Sequence, residues 1–139
     1  MTDPLAAVMR TAASGLQSQS FRLKVVAENL ANIDSTATSA SGDPYRRKMV
    51  TFTQSLDELT GAHIVSVDEV IRDQREFKTE YSPGHPAADS HGYVKLPNVE
   101  MMVEMADMRE ASRSYEANLQ MIRQAREMSS MIVDLLKSG

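Results

Sequence analysis

The stretch after Pro97 constrains the fold most, because residues 98–138 contain neither proline nor glycine. Asn98 is a favourable N-cap residue, so the pattern predicts one unbroken helix over Pro97–Leu136. At 1.5 Å per residue this helix would measure roughly 60 Å. A compact domain of this chain length would have a diameter of only about 40 Å. The sequence therefore predicts an elongated molecule organised by its C-terminal helix.

Residues at spacings of three and four form one mostly apolar seam along this helix, which is typical of a helix packed along its length. The seam positions are Met101, Glu104, Met108, Ala111, Tyr115, Asn118, Ile122, Ala125, Ser129, Ile132 and Leu136. Near the C-terminus four more apolar residues flank the seam, namely Met121, Met128, Val133 and Leu135. A stripe of that width predicts more than one packing neighbour.

The first segment, Pro4–Ile33, repeats this pattern behind a potential cap at Asp3. Its seam consists of Leu5, Met9, Ala12, Leu16, Gln19, Leu23, Val26, Leu30 and Ile33. Gly15 should weaken the helix by about 1 kcal/mol relative to alanine. A second stripe of small residues, Ala6, Ala13, Ser20 and Ala27, would allow another helix to approach closely.

Short strand-like segments fill the middle of the chain, after a loop predicted for residues 34–44. The predicted strands are Tyr45–Thr53, His63–Ile71, Glu76–Tyr81 and Gly92–Leu96, and a short helical turn is predicted at Ser55–Thr60. The fold class is therefore mainly α with a small β-rich insert, the long N- and C-terminal helices pairing as an elongated coiled coil. The predicted segments are 1–34 and 97–139, which form the helical core, and 35–96, which holds the linker and insert. A compact helical bundle is the alternative.

Composition excludes several functions. A net charge near −4 gives no indication of nucleic-acid binding, and the absence of cysteine rules out disulfides and thiolate chemistry. Ten methionines beside three phenylalanines favour adaptable interfaces. The sequence shows no cleaved signal peptide, and no apolar run approaches the roughly 20 residues of a membrane span.

Candidate catalytic residues are weakly supported. His85, Asp89 and His91 lie in a proline-broken loop, which does not favour the held geometry of a zinc site, and only His63 remains as a further histidine. No nucleophile elbow or phosphate-binding glycine loop is present. The sequence predicts no enzyme, no metal and no cofactor.

Two polar features have alternative interpretations. The basic run Arg46-Arg47-Lys48 is either an interface that pairs with carboxylates on a neighbour or a solvated strand face. Asn29, Asn32 and Asn118 either fix the register of packed helices or lie exposed on the surface.

Specific motifs extend along nearly the whole chain. The N-terminal signature comprises Ala13-Ser14-Gly15-Leu16, Arg22-Leu23 and Ala27-Glu28-Asn29-Leu30-Ala31-Asn32. The more specific motifs are Tyr81-Ser82-Pro83-Gly84-His85-Pro86, Ala88-Asp89, Gly92-Tyr93-Val94, Pro97-Asn98-Val99, Glu104-Met105, Asp107-Met108 and Arg113-Ser114-Tyr115-Glu116-Ala117-Asn118. The N-terminal signature resembles that of bacterial flagellar rod and hook proteins, and the more specific motifs resemble those of the proximal-rod subunits of the flagellar basal body.

The resemblance implies a structural subunit of the proximal rod, a tubular drive shaft that transmits torque across the periplasm. Implied partners are other rod subunits, further copies of this chain and the flagellar type III export apparatus, through which it passes without a cleaved signal peptide. Neither nucleic acid nor membrane insertion is implied. A soluble coiled-coil adaptor that binds one partner helix is the alternative.

The residues expected to form the assembly interface are the seam positions Leu5, Met9, Leu16, Leu23, Val26, Leu30, Met108, Tyr115, Asn118, Ile122, Ile132 and Leu136. Pro83, His85 and Pro86 are expected to act as a stiff structural loop.

Overall fold

A computed structural model describes residues 3–139, so Met1 and Thr2 of the predicted N-terminal segment lie outside the described residues. Two helices and four strands follow one another as α1 (Pro4–Ala31), β1 (Lys48–Asp57), β2 (Ala62–Arg72), β3 (Lys78–Tyr81), β4 (Tyr93–Leu96) and α2 (Met101–Ser138). The prediction of two long terminal helices around a β-rich insert is confirmed. None of the helices within residues 3–139 has both the length and the apolar character needed to cross a bilayer.

The two helix starts differ in how well the sequence predicted them. Asp3 caps α1 as expected, because its Oδ1 accepts a hydrogen bond of 3.0 Å from the Leu5 amide. The predicted cap at Asn98 is wrong. The helix α2 begins at Met101, and the Glu100 carbonyl accepts the bond from the Glu104 amide, at 3.0 Å. The Asn98 side chain is used elsewhere, in the polar network described below.

The strands also differ in detail from the prediction. All four exist, but β1 starts at Lys48 and continues to Asp57, so residues 55–57 are strand and not the start of a helical turn. The strands β1 and β2 form one two-stranded sheet and β3 and β4 another. The second sheet is antiparallel, with Tyr81 opposite Tyr93 and Lys78 opposite Leu96.

The chain divides into two compact units, each built from both helices and from part of the insert. The first unit contains the described residues up to Leu23, Thr51–Glu69 and Glu110–Gly139. The second contains Lys24–Val50 and Val70–Arg109.

In the first unit, α1 and α2 run antiparallel. Gly15 lies against Asn118, and Arg22 forms an ion pair of 3.5 Å with Glu110. Helix α1 also covers the edge of β2, because the Ser14 hydroxyl accepts from the Val65 amide and the Ser18 hydroxyl donates to the Val65 carbonyl, each at 3.1 Å. These serines satisfy backbone groups that a sheet edge would otherwise leave unpaired.

Candidate assembly surface and its polar support

The seam of α2 has two parts, which the structure treats differently. From Glu104 to Ala125 every predicted seam position is buried or half-buried, and Ala111 is fully buried. From residue 126 to the end of the chain every residue is exposed. The same heptad pattern therefore packs against α1 over its first part, whereas no part of residues 3–139 buries its last part.

The length of α1 explains the change. Pro4, the first residue of α1, lies eleven residues before Gly15, and the residue eleven positions after Asn118 is Ser129. Because the helices are antiparallel with Gly15 beside Asn118, α2 continues past the start of α1 by residues 130–138, here called the C-terminal overhang. Five of its nine residues are large and apolar, namely Met131, Ile132, Val133, Leu135 and Leu136.

The predicted interface residues are thus divided by the fold. Ten of the twelve are buried or half-buried within the chain: Leu5, Met9, Leu16, Leu23, Val26, Leu30, Met108, Tyr115, Asn118 and Ile122. Ile132 and Leu136 are 49% and 78% exposed. Only these two offer a broad apolar surface to a neighbour without any rearrangement of the chain.

A second exposed apolar surface lies at the start of α2. Met101, Met102, Val103 and Met105 are all exposed, whereas Glu104 between them is fully buried. Because the Glu104 side chain points into the protein, the apolar side chains next to it on the helix face outward. Of these exposed apolar residues, the sequence pattern identified only Met101, as a seam position.

Glu104 is held by a buried polar network in the second unit. Its carboxylate accepts hydrogen bonds from Asn29 Nδ2, at 3.1 Å, and from Arg47 Nε. Asn29 is itself fully used, since its amide group also bonds both the amide and the carbonyl of Lys48, at 3.0 and 2.9 Å. The Tyr45 hydroxyl donates to Asn29 Oδ1 at 2.7 Å. A network with all its members satisfied fixes one arrangement of the surrounding elements.

Asn98 and Asp73 extend this network. Asn98 Oδ1 accepts from the Arg47 amide at 2.7 Å, and its Nδ2 donates to the carbonyl of Asp73 at 2.9 Å. The Asp73 carboxylate accepts from Arg75 Nη2 at 2.6 Å and from Arg47 Nη1 at 3.4 Å. The side-chain hydrogen bond from Arg75 is the main cause that lowers the pKa of Asp73 to about 2.

The basic run has partners inside the chain, which neither interpretation drawn from the sequence included, and its pairing with a neighbour stays a prediction. Arg47 pairs with Glu104 and Asp73, Lys48 pairs with Glu28 at 2.8 Å, and the Arg46 guanidinium lies 4.2 Å from the centre of the Phe77 ring. The sequence pattern identified most of these residues separately, but it did not indicate which of them pair with one another. The available signal was a charged residue at a seam position, Glu104, which requires a buried partner.

The proline loop connects β3 to β4 and is ordered by local hydrogen bonds. Asp89 Oδ1 accepts from the amides of His91 and Tyr93, both at 2.9 Å, and the Tyr93 bond is the main cause that lowers the pKa of Asp89. His85 Nδ1 accepts from the Ala87 amide at 3.0 Å. Pro83 and Pro86 are exposed. Within residues 3–139 no three side chains of the metal-binding types are grouped as a metal site would require.

Gly92 closes this loop in a conformation that favours glycine. Its φ is 87°, and a Cβ atom there would lie 2.9 Å from Tyr81 Cε2. The Tyr81 and Tyr93 rings pack edge to face, with their centres 5.3 Å apart. The loop is thus tied to the end of its own hairpin.

Comparison with known proteins agrees with the motifs at both ends of the chain. Residues 9–37 match the family model described as flagella basal body rod protein, and residues 90–135 match the one described as flagellar basal body rod FlgEFG protein C-terminal. The flagellar basal-body rod protein FlgC of Agrobacterium fabrum is 53% identical over 99% of both chains. FlgC of an Escherichia coli strain is 44% identical over 84% of this chain and 87% of its own.

A more distant relative matches over almost the same extent. FlgC of Borreliella burgdorferi is 34% identical over 93% of this chain and 95% of its own. The chain therefore belongs to the FlgC family of flagellar basal-body rod proteins.

Proposed function

We propose that this chain, a structural subunit of the flagellar basal-body rod, joins other rod subunits and further copies of itself through the helical surface that its own fold leaves uncovered. The observation that carries this proposal is the C-terminal overhang. It continues the seam that packs against α1 in residues 104–125, yet all its residues are exposed. A neighbouring helix is the partner that such a seam requires, which would extend the helix pairing as a coiled coil between subunits.

Contacts of this kind support a tubular assembly. When one patch meets a different patch on the next subunit, and the rotation between subunits does not close into a ring, the contact repeats and gives a helical array. Many such contacts in parallel would transmit torque along a drive shaft. The exposed methionines of α2 would adapt to neighbours of slightly different shape.

The position of this subunit follows from the family resemblance. We place it in the proximal rod, which crosses the periplasm, and we infer export through the flagellar type III apparatus without a cleaved signal peptide. The role is structural, with no catalysis and no cofactor: His85 and Asp89, the strongest candidates for chemistry, serve the hydrogen bonding of their own loop. The adaptor alternative is not favoured, because the relatives matched over most of the chain are rod proteins.

The test uses a charge on the overhang. Ile132→Asp should leave the chain folded, because Ile132 is already half exposed, but should place a carboxylate in the subunit contact, where an unpaired buried charge costs several kcal/mol. The host is a flagellated species from which the gene for its own FlgC homologue has been deleted. There the unchanged chain should restore motility and appear in purified basal bodies. The Ile132→Asp variant should do neither.

Ser130→Asp is the matched control, since it adds the same charge to the overhang next to the seam position at 129 but off the seam itself. It should assemble normally. Normal motility with Ile132→Asp, at equal expression, would mean that the overhang does not contact a neighbour.

A further inference from the structure

Three methionines lie side by side on the exposed face of the first turns of α2. Met101, Met102 and Met105, here called the methionine cluster, are 53%, 79% and 48% exposed. Met105 follows Met102 by three residues and Met101 by four, so on the helix it neighbours both, with about 5–6 Å between Cβ atoms. Long side chains in helices lean toward the N-terminus, which directs the Met105 thioether over the turn that carries the other two. The three sulfur atoms can therefore meet at one point outside the helix.

Buried neighbours fix the backbone that carries the methionine cluster. Val99, just before the helix, is fully buried, and Glu104, within the same turns, is held by Asn29 and Arg47. The three methionine side chains have rotatable bonds enough to adjust around a bound atom. A rigid element that carries adaptable ligands is a suitable support for a metal ion.

The donor atoms determine which metal fits. Thioether sulfur is a soft ligand that selects Cu(I), whereas magnesium, calcium and manganese prefer oxygen. The start of a helix is the positive end of its dipole, which further disfavours hard cations bound by electrostatic attraction alone. Among residues 3–139 the histidine, aspartate and glutamate side chains form no group of three that could hold a metal. Methionine sulfur is therefore the candidate ligand, and a soft monovalent ion is its match.

We propose that the methionine cluster binds one Cu(I) ion, or the chemically similar Ag(I), through its three thioether sulfurs. The observation that carries this proposal is the placement of three exposed methionines on neighbouring positions of one fixed helix segment. Met128 and Met131, which are also exposed on α2, form only a pair, because no third methionine lies three or four residues from either. The inference concerns the separate chain and does not rest on the proposed function.

Titration of the purified chain with Ag(I) in chloride-free buffer tests the site, since Ag(I) has the closed d shell of Cu(I) and is stable in air. Calorimetry should show one ion bound per chain. The Met101→Leu, Met102→Leu, Met105→Leu variant should bind at least about 100-fold more weakly, because even the loss of an outer-shell partner costs about 10–100-fold. Leucine has a similar volume and a high helix propensity, so circular dichroism should show an unchanged fold.

The Met128→Leu, Met131→Leu variant is the matched control. It removes two exposed thioethers from the same helix and should bind Ag(I) as tightly as the unchanged chain. Met105→Leu alone, which removes the neighbour that the other two share, replaces the triple variant if that protein is not soluble.

Nuclear magnetic resonance of methionine methyl groups identifies the ligands directly. Of the ten methionines, the three whose signals are absent from the triple variant should shift most when Ag(I) is added. Titration with Cu(I) under nitrogen should move the same three signals.

Three results would overturn the proposal. The first is that the methyl signals of the methionine cluster stay in place at saturating Ag(I), and the second is that the triple variant binds as tightly as the unchanged chain. The third is an equal loss of affinity in the Met128→Leu, Met131→Leu control. None of these results bears on incorporation of the chain into basal bodies, which tests the proposed function separately.

Discussion

Asn118 of α2 lies directly against Gly15 of α1, so closely that a Cβ atom on Gly15 would come within 2.6 Å of Asn118 Nδ2. The Asn118 side chain is held there by a hydrogen bond of 2.9 Å to the Ser114 carbonyl. Gly15, which by sequence only weakens its helix, is therefore the position where the second helix comes closest. The pair fixes the register of α1 against α2 within the first unit.

This contact predicts the effect of Gly15→Ala. Helix propensity alone would stabilise the variant by about 1 kcal/mol. Overpacking against Asn118 costs roughly 1–3 kcal/mol, so we expect a net loss in the free energy of unfolding. With Asn118→Ala also present the obstacle is absent, and Gly15→Ala should become stabilising. Urea denaturation of the four proteins in this double-mutant cycle measures the coupling, and a stabilising effect of Gly15→Ala in the unchanged chain would contradict the contact.

The buried carboxylate of Glu104 predicts a large loss of stability on truncation. Glu104→Ala removes the main partner of Arg47 and one bond of Asn29, which should lower the free energy of unfolding by about 3 kcal/mol. The exposed Glu100 is the matched control, and Glu100→Ala should change stability by less than about 0.5 kcal/mol. Urea denaturation again gives both values. Equal effects of the two variants would show that the network contributes nothing to stability.

The lowered pKa of Asp73 predicts a loss of stability in acid. In the folded chain this pKa is about 2, below the ordinary value of 3.8, so the unfolded chain binds the proton more readily. The stabilisation is therefore complete above about pH 4 and disappears as the pH falls through about 2. The Asp73→Asn variant is the reference. Because all the other carboxylates titrate in both proteins, their effects cancel in the difference between the two. The difference in unfolding free energy between them should shrink from pH 4 to pH 2, and a difference that stays constant would assign the stabilisation to another cause.

Charges at two seam positions of α2 should have different effects. Ile122 is half-buried within the chain, so Ile122→Asp should lower the free energy of unfolding of the purified chain by about 3 kcal/mol. Leu23→Asp, on the α1 seam, should act in the same way. Ile132→Asp should leave stability nearly unchanged. Circular dichroism during urea denaturation compares the three, and a stable Ile122→Asp monomer would show that this position does not depend on packing within the chain.

Hydrogen bonds that the Asp89 carboxylate accepts, more than Pro83 and Pro86, should hold the loop between β3 and β4. The Pro83→Gly, Pro86→Gly variant adds chain entropy but keeps both bonds to Asp89 Oδ1. Asp89→Ala removes them, and the amides of His91 and Tyr93 should then exchange with solvent much faster than in the double glycine variant. His85→Ala should affect only the bond from the Ala87 amide. Hydrogen exchange resolved by residue distinguishes these cases, and faster exchange in the glycine variant than in Asp89→Ala would restore proline as the main source of stiffness.

The sequence by itself determined the helices and the seam. Absence of proline and glycine after Asn98 predicts a long helix whatever the surroundings, and the spacing of three and four identifies its buried face, as the burial of Glu104, Ala111 and Ala125 demonstrates. Both signals are local, so no knowledge of distant residues is needed to interpret them. The family motifs are equally a property of the sequence.

Only the tertiary structure decided which polar residues meet. Asn98 has the residue type of a cap, yet its amide group bonds the backbone at Arg47 and Asp73, because those groups are buried and need partners. Arg47 and Glu104 are separated by 57 residues, so no local pattern could pair them. The end of the seam at Ala125 likewise depends on where α1 begins opposite α2, a relationship that a one-dimensional pattern does not contain.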